Sequence, residues 1–241
     1  MPAPATMRDL AGVSRRHPAC CGMTHTDAVE DALRTLFVLT GRGVPVGTSL
    51  LAAELSVTAP TMSTMLKRLD EHGLVTRSGD HGAELTEHGA RHAREVVRRH
   101  RLLEAYLTTA LGVPWDGVHD EADVLEHVVS DALLDRIDAL LGHPTSDPHG
   151  DPIPSPNRQH VEAWGERLDL VEEGTRFRVE RVYDRDSAAL RYLAELGIQP
   201  GASVVVGARE PFGGPIWVSV GPLRHALGER LAGLVHGREE R

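Results

Sequence analysis

The spacing of apolar residues along the N-terminal part of the chain predicts three helices followed by a hairpin. Apolar positions recur at helical intervals over residues 27–40, 49–55 and 60–69, and a turn at 56–59 separates the second helix from the third. Residues 71–76 then enter a strand, the glycine-rich turn at 79–82 reverses the chain, and residues 83–86 return. Helix, helix, turn, helix and hairpin is the order of a winged helix-turn-helix, which favours DNA binding.

The middle of the chain predicts two long helices and then a loop. One helix covers residues 87–111 and ends before Gly112 and Pro114. The next covers residues 120–141, and its apolar stripe consists of Ala122, Leu125, Val129, Leu133, Ile137 and Leu140. Residues 142–156 are rich in Pro, Asp, Gly and Ser, which predicts a loop and linker, with a short helix at about 158–166.

The pattern changes to short alternating segments from Gly174 onward. Strands are predicted at residues 177–182, 203–208 and 216–220, with a helix at 187–196. Residues 225–233 predict a short helix or turn, and residues 234–236 a last strand. Several short strands with glycine turns favour a small barrel.

The charge distribution and composition limit the kinds of partner that the protein can bind. The net charge of −9 argues weakly against nucleic acid, but residues 24–101 hold ten basic and ten acidic side chains, whereas residues 102–241 hold thirteen and twenty-four. The acidity therefore lies in the C-terminal half, where carboxylates can bind cations. No apolar run is long enough to span a membrane and no secretory signal is evident, so we expect a cytoplasmic protein with no membrane partner.

The first residues of the chain carry little information about function. Cys20 and Cys21 are the only cysteines and are adjacent, so they predict neither a disulfide framework nor a thiolate zinc site. We expect residues 1–23 to be a disordered leader, and Met23 is an alternative start to Met1.

Hydroxyl and basic side chains on the predicted third helix are suited to reading DNA. Hydroxyl groups near a helix N-terminus fit phosphate oxygens and base edges, and basic groups further along fit the phosphate backbone. The candidate DNA-binding residues are Thr58, Pro60, Thr61, Ser63, Thr64, Lys67, Arg68 and Arg77. His81 on the wing and Arg91, Arg94, Arg98 and Arg99 on the next helix are further candidates for phosphate contacts. The alternative is an ordinary polar surface helix.

Residues 119–127 hold six potential metal ligands in nine positions. Asp123, Glu126 and His127 stand at i, i+3 and i+4, so a helix places them on one face. His100 and Glu104, also i and i+4, make a second set with His119, and a further ligand from the first helix is Glu30 or Asp31. Without sulfur ligands, such sets suit hard divalent cations. The alternative is a solvated acidic face.

A hydrolytic metal enzyme uses similar ligands, but the sequence lacks the features that such an enzyme needs. We find no His-Glu-x-x-His element, no glycine-rich phosphate loop and no nucleophile motif. The sequence therefore predicts a protein that is not an enzyme.

Several segments together resemble the diphtheria-toxin-repressor family of metal-dependent transcriptional regulators, in particular its manganese-responsive type. They are residues 59–63, 99–104, 118–131, 149–154 and 193–201. The resemblance implies a mainly α protein with a small β part. Its parts are an N-terminal winged helix-turn-helix DNA-binding domain (24–96), a helical metal-binding and dimerisation domain (97–142), a linker (143–170) and a C-terminal SH3-like β-barrel (171–241).

The resemblance also implies two metal sites per subunit. The primary, regulatory site matches Asp31, Asp123, Glu126 and His127. The ancillary site matches His100, Glu104 and His119, and Asp184 lies near a position from which the SH3-like domain can add a ligand. At a second such position, where some family members have glutamate, this chain has Arg181.

The chain differs from iron-type members of the family at Asp31 and Asp123, where those members have methionine and cysteine. Replacing soft sulfur by anionic oxygen favours Mn(II) over Fe(II), Co(II), Ni(II) and Zn(II). We therefore expect a manganese-dependent repressor of metal-uptake genes that binds a palindromic double-stranded operator as a homodimer. An iron(II)-dependent repressor is the alternative, and a metal buffer or transport accessory is a more distant one.

Overall fold

The structure, a computed structural model, describes residues 26–78, 82–155 and 164–240. The predicted leader at 1–23, the wing residue His81 and most of the short helix predicted at 158–166 lie outside the described residues. The chain divides into two compact units: the first includes described residues up to Thr40 with 44–96 and 129–133, and the second includes 41–43, 97–128 and the chain from Leu134 onward. Among the helices of the described residues, none combines the length and the apolar character needed to cross a bilayer.

The first unit confirms the predicted winged helix-turn-helix order. It contains α1 (Asp27–Gly41), α2 (Thr48–Glu54) and α3 (Ala59–Glu71), followed by strands β1 (Val75–Ser78) and β2 (Gly82–Leu85). The two strands pair antiparallel, with Val75 opposite Leu85. The apolar face of each helix forms the core, whose fully buried members include Val29, Leu33, Leu36, Leu51, Leu66 and Leu69. The predicted helices are confirmed to within two residues at each end.

Threonine side chains begin the two helices that flank the hairpin. Thr58 precedes α3, and its hydroxyl accepts a hydrogen bond from the Thr61 backbone N–H at 3.3 Å. Thr86 precedes α4 (Glu87–Leu111), and its hydroxyl accepts from the Gly89 N–H at 3.0 Å. Each contact satisfies a backbone donor that the first turn of a helix leaves open, so these residues position both helices.

The single helix predicted at 120–141 is wrong, because two shorter helices occupy that stretch. They are α5 (Val118–Leu125) and α6 (Asp131–Leu140). The chain turns between them, and the Ser130 hydroxyl accepts a hydrogen bond from the Leu133 N–H at 3.3 Å, as at a helix start. The predicted apolar stripe is divided as a result: Ala122 and Ile137 are buried, whereas Leu133 is 48% exposed and Leu140 is 70% exposed.

The C-terminal part of the second unit is an antiparallel sheet with two short helices. Its elements are β3 (Glu166–Arg167), β4 (Arg176–Val182), α7 (Ser187–Glu195), β5 (Ser203–Arg209), β6 (Ile216–Val220), β7 (Leu223–Leu227), α8 (Glu229–Ala232) and β8 (Val235–Glu239). The strand order is β3-β8-β4-β5-β6-β7. Phe177 and the other inward-facing apolar residues form one buried cluster. The predicted small β-barrel class is confirmed.

Two details of this sheet differ from the predictions. Residues 225–233 were predicted as one helix or turn, but residues 223–227 form β7, which pairs with β6 through Val220 opposite Leu223. Only Glu229–Ala232 is helical. The two-residue strand β3 was not predicted, and the last strand is longer than predicted. Cross-strand pairing with β6 determines the conformation of β7, which its short local pattern could not reveal.

The polar segment before the sheet is an ordered loop in the described range up to residue 155. Ser146 and Pro152 form a β-bridge, and the Asp147 N–H donates to the Asp151 carbonyl at 3.0 Å. The loop contacts β4, since the Val182 N–H donates to the His149 carbonyl at 2.9 Å. Gly150 has a φ of +87°, and a Cβ there would lie 1.8 Å from the Glu180 carbonyl oxygen. Only glycine therefore allows this approach.

Candidate metal centre

Helices α4 and α5 bring three of the predicted ligands into direct contact in the second unit. His100 Nε2 lies 3.0 Å from Glu104 Oε1 and 3.1 Å from His119 Nδ1. His119 Nδ1 lies 3.1 Å from the same Glu104 oxygen. The i and i+4 spacing places His100 above Glu104 on α4, and the first turn of α5 supplies His119. Glu104 is fully buried, so these side chains are held in a dry, polar cluster.

Asp184, which follows β4, adds a second carboxylate to this cluster. Its Oδ2 lies 3.1 Å from His119 Nδ1, and Glu104, His119 and Asp184 are arranged closely enough to hold a metal ion. Arg181, at the other position that the resemblance implies, contacts Asp151 instead. Asp184, which follows β4, therefore joins the cluster of His100, Glu104 and His119.

The protonation of the cluster formed by Glu104, His119 and Asp184 follows from its charges. Burial opposes the charged form of His119, but Asp184 and Glu104 outweigh that effect and raise the pKa of His119 to about 10. Burial would raise the pKa of the Glu104 carboxyl, yet His100 and His119 hold it well below its usual value. The pKa of Asp184 is likewise lowered, against the effect of burial, by His119. A cation bound by His119 would therefore have to displace its proton.

The predicted primary ligands from this unit lie on the other side of His100. His100 Nδ1 is 2.6 Å from Glu126 Oε2 and 3.2 Å from Asp123 Oδ1. His127 Nε2 lies 3.6 Å from Glu126 Oε1. The sequence suggested two separate ligand sets, whereas the structure has His100 in contact with members of both. The remaining predicted ligand, Asp31, lies half-buried on α1 in the first unit.

Sequence reasoning missed two buried residues of this centre, Asp147 and His149. Together with Glu104 they form a further group arranged closely enough to hold a metal ion, and all three residues are buried. Burial raises the pKa of the Asp147 carboxyl well above its usual value, and Asp151 and Glu104 add to the effect. The available signal was the sequence Asp147-Pro-His149-Gly-Asp151 within a segment that its composition marked as a linker.

The chemistry of these donors fits a divalent cation. Every side chain in the cluster offers nitrogen or oxygen, and none offers sulfur. Several buried polar atoms have no hydrogen-bond partner among the described residues; they are Glu104 Oε2, His119 Nε2, Asp147 Oδ2 and His149 Nδ1. Buried polar atoms are rarely left in this state, and an ion or a water at this site would satisfy these four atoms.

The predicted DNA-reading residues lie on the surface of the first unit. Thr58, Pro60, Thr61, Thr64, Lys67 and Arg68 are exposed, Ser63 is half-buried, and Arg77 is exposed on β1. Thr58 and Thr61 hydroxyls lie 2.8 Å apart, and the Thr64 hydroxyl donates to the Pro60 carbonyl at 3.0 Å. The exposed face of α3 is therefore polar and accessible.

Two of the arginines suggested as phosphate contacts are unsuited to that role. Arg98 bonds Asp138 at 2.9 Å and the Pro154 carbonyl at 3.0 Å, all within the second unit. Arg99 is only 4% exposed. Those two predictions are wrong because helical periodicity turns these side chains toward the protein.

Family models match nearly all of the described chain in three consecutive parts. Residues 24–83 match the "Iron dependent repressor, N-terminal DNA binding domain". Residues 86–155 match the "Iron dependent repressor, metal binding and dimerisation domain", and residues 166–239 match the FeoA domain.

Individual relatives agree with these matches. The iron-dependent repressor IdeR of Mycobacterium leprae (strain TN) is 34% identical over 193 residues, which cover 75% of this chain and 84% of that protein. IdeR of Mycobacterium tuberculosis (strain ATCC 25618 / H37Rv) is 40% identical over 128 residues, so the match spans 53% of this chain and 56% of that relative.

Solved structures of similar proteins include manganese regulators. A structure described as a manganese-dependent transcriptional repressor in complex with manganese is 39% identical, covers 88% of this chain and 100% of its own, and superimposes with a TM-score of 0.82. The structure of the manganese regulator SloR is 29% identical, covers 90% of this chain and 100% of its own, and has a TM-score of 0.76. The sequence match over most of a relative, the three family models and the shared fold agree, and this chain belongs to the iron-dependent repressor, or diphtheria-toxin-repressor, family.

Proposed function

We propose that this protein is a metal-dependent, DNA-binding transcriptional repressor of metal-uptake genes, with Mn(II) as its co-repressor. The single observation that carries the proposal is the oxygen- and nitrogen-only donor set of the second unit, with Asp123 at 3.2 Å from His100. Carboxylate and imidazole without thiolate suit Mn(II), which competes poorly for sulfur sites. The relatives' names include both iron and manganese, so the iron(II)-dependent repressor is the second candidate.

The proposed ligand sets divide the centre into two sites per subunit. The ancillary set is His100, Glu104, His119 and Asp184. The primary set is Asp31, Asp123, Glu126 and His127, in which Asp31 is assigned by the resemblance alone. A bound cation would supply positive charge that neutralises the carboxylates of each set.

The effect of this neutralisation depends on where the primary ligands lie in the chain. Asp123, Glu126 and His127 belong to the second unit, and Asp31 belongs to α1 of the first. When all four bind one ion, we expect the angle between reading and dimerisation domains to be restricted, which fixes the spacing of two copies of α3 on a palindromic operator. The coupling is reciprocal, so operator DNA should also tighten metal binding.

A homodimer fits the apolar surface of the second unit. Leu111, Val124 and Leu140 are large apolar side chains that are 61%, 69% and 70% exposed. Exposed apolar side chains on helices of a dimerisation domain favour burial against a second copy. A dimer is also what a palindromic operator requires.

Operator binding measured against free metal tests the choice of function. Full-length protein is titrated anaerobically with Mn(II) or Fe(II) in the presence of promoter DNA from a manganese-importer gene, and complex formation is followed by gel shift. We expect operator-specific binding only with metal, at cellular free Mn(II) concentrations, above a weak sequence-independent background. Activation by Fe(II) at lower free concentration, relative to its cellular availability, would favour the iron repressor, and metal binding without any DNA binding would favour a buffer.

The Asp31→Ala variant tests the proposed primary site. We expect metal-dependent DNA binding to weaken while the fold and the dimer persist, because only one ligand is removed. Glu30→Ala is the matched control, since it removes a neighbouring half-buried carboxylate from the same helix. Unchanged metal-dependent DNA binding in Asp31→Ala would rule out this residue as a ligand that links the two domains. Loss of that binding in Glu30→Ala instead would indicate that Glu30 is the ligand.

A further inference from the structure

A group of three buried side chains in the second unit lies outside both proposed ligand sets, apart from sharing Glu104. One donor atom of each of Glu104, Asp147 and His149 lies within 4.8 Å of the others. All three residues are buried, and His149 Nδ1 is 3.9 Å from Glu104 Oε1. Donor atoms at these separations can surround one small cation.

The hydrogen bonding of His149 prepares its other ring nitrogen for a metal. Its Nε2 lies 2.7 Å from the Trp115 carbonyl oxygen, which can only accept, so Nε2 carries the proton. Nδ1 then bears a lone pair, and it is buried without a hydrogen-bond partner in the described chain. A histidine that donates one N–H to a backbone carbonyl and presents the opposite nitrogen is the usual arrangement at metal sites.

Asp147 also has one oxygen committed to the loop and one oxygen left over. Its Oδ1 accepts from the His149 N–H at 2.8 Å and from the Asp151 N–H at 2.9 Å. Its buried Oδ2 has no hydrogen-bond partner among described residues, and the nearest cation, Arg101 Nε, is 3.9 Å away. Arg101 is itself bonded to the Pro152 carbonyl at 2.7 Å. Asp147 therefore holds the loop through Oδ1, and its Oδ2 is available to bind a cation.

Glu104 is shared between this group and the His100–His119 contacts. Its Oε1 lies near His100 and His119 and, at 3.9 Å, His149 Nδ1, whereas its buried Oε2 makes no hydrogen bond to any described residue. A carboxylate that offers oxygen to two ligand groups can bridge two cations.

The loop that supplies Asp147 and His149 is firmly built. Its Gly150 packs directly on the Glu180 carbonyl of β4, and the His149 carbonyl accepts from the Val182 N–H at 2.9 Å. The donors are therefore positioned before any ligand arrives, which is the condition for selective metal binding.

We infer that Glu104, Asp147 and His149 form a third divalent-cation site, joined to the ancillary site through a bridging Glu104. The inference rests on the proposed metal binding of the ancillary cluster but goes beyond it, since neither Asp147 nor His149 is part of the two sites of the proposed function. An ordered water in this space is the competing occupant.

The test counts Mn(II) per subunit in full-length protein by equilibrium dialysis and elemental analysis. We expect Asp147→Asn to bind one ion fewer than the parent protein, because the amide keeps the Oδ1 acceptor of the loop and replaces the oxygen that binds metal. Asp186→Asn is the matched control, since Asp186 similarly accepts a backbone N–H, from Ala189 at 3.0 Å, at the start of α7. Equal Mn(II) counts in the parent and Asp147→Asn would overturn the inference.

A second variant and a diffraction experiment keep the test of the third site valid even if Asp147→Asn does not fold. His149→Phe keeps the ring shape but removes both ring nitrogens, and we expect it also to bind one ion fewer. Anomalous diffraction from Mn(II)-loaded parent crystals should show a peak touching Asp147 and His149. A parent protein whose metal peaks all lie away from these residues, with water between them, would overturn the inference even where Mn(II)-dependent DNA binding persists. A peak there in a protein that fails to bind DNA would support the site and contradict the repressor.

Discussion

The reading surface of the first unit and the metal centre of the second are built in opposite ways. The polar side chains of α3 are exposed, and the position of each follows from the register of one helix. The metal centre is buried and draws donors from α4, α5, the loop before the sheet and the residue Asp184 after β4. A DNA-reading surface must remain in water, whereas a selective cation site must be dry and positioned in advance. Substitutions in the two regions should therefore separate DNA affinity from metal affinity.

We expect Glu104→Gln to have the largest effect on metal affinity relative to DNA affinity. This side chain contacts both His100 and His119 and is fully buried, so losing its charge affects every donor group that shares it. We expect Mn(II) affinity to fall by more than the roughly 10–100-fold that follows loss of an outer partner of a ligand. The measurement is Mn(II) equilibrium dialysis, paired with operator binding.

The control for this prediction lies on the same helix. Glu87→Gln removes an exposed carboxylate of α4 whose partner is Arg91 at 3.2 Å, and it should leave Mn(II) binding unchanged. Weak, salt-sensitive DNA binding without metal should survive in both variants, because α3 is untouched. Normal Mn(II) affinity in Glu104→Gln would mean that the centre is not built around this residue.

The next largest effect is expected from Gly150→Ala, which breaks the support of the metal-binding loop. A Cβ at this position lies 1.8 Å from the Glu180 carbonyl oxygen, so the loop must leave β4 or the strand must move. Gly142→Ala is the matched control, with a φ of +72° and no atom within 4 Å of the new Cβ. The free energy of unfolding of Gly142→Ala should fall by only about 1–2 kcal/mol, the cost of a left-handed backbone conformation for a residue with a Cβ. That of Gly150→Ala should fall by clearly more. Urea unfolding measures both, and equal losses would show that the close packing is unimportant.

The architecture of the protein was largely predictable because most of its elements are determined locally. The helices of the first unit follow their apolar spacing and begin at polar caps such as Thr58. The predictions were wrong where a capping residue interrupted the apolar periodicity, or where pairing with another strand determined the secondary structure. Apolar spacing continues across Ser130, but that residue's capping hydroxyl starts a new helix. β7 is a strand because it pairs with β6, which no local pattern reveals.

The metal centre was predictable only as far as single helices and the family resemblance extend. His100 and Glu104 are one turn apart on α4, so their proximity follows from sequence spacing. Asp184 required the resemblance, since it follows a strand far along the chain. His149 was missed because its position depends on a loop that docks on β4 through Gly150, and a proline- and glycine-rich composition marks such a loop only as polar.

A smaller effect, confined to the reading surface, is expected from Lys67→Gln. The Lys67 side chain is 70% exposed on α3, and its partner Glu71 is 3.8 Å away and also exposed. If Lys67 contacts a phosphate, as we propose, its loss should weaken DNA binding similarly for all sequences and reduce the salt slope of binding by about 1, with Mn(II) affinity unchanged. Arg176→Gln removes an exposed positive charge from β4 in the second unit and should leave the slope as it is. A changed Mn(II) affinity in Lys67→Gln would contradict the separation of the two regions.

The smallest effect tests whether pH acts on the second unit outside its metal centre. His236 on β8 is buried, its Nδ1 lies 3.2 Å from the Gly165 carbonyl, and burial lowers its pKa from the ordinary 6.5, with nearby guanidinium groups adding to the shift. As pH falls below 6.5, the unfolded chain binds this proton before the folded protein does. Stability should therefore fall from pH 6.5 down to the folded pKa, by at most about 1.4 kcal/mol per pH unit.

Chelator-treated protein, unfolded in urea between pH 7.5 and 5.5, isolates this contribution from metal binding. His236→Asn keeps a side-chain N–H for the Gly165 carbonyl and removes the titration, so its stability should depend less on pH below 6.5 than that of the parent. Ser219→Ala, on the neighbouring strand β6, changes no titratable group and is a control that should retain the parent's pH dependence. If His236→Asn kept the parent's full acid sensitivity, His236 would not be the source of that sensitivity, and this prediction would be wrong.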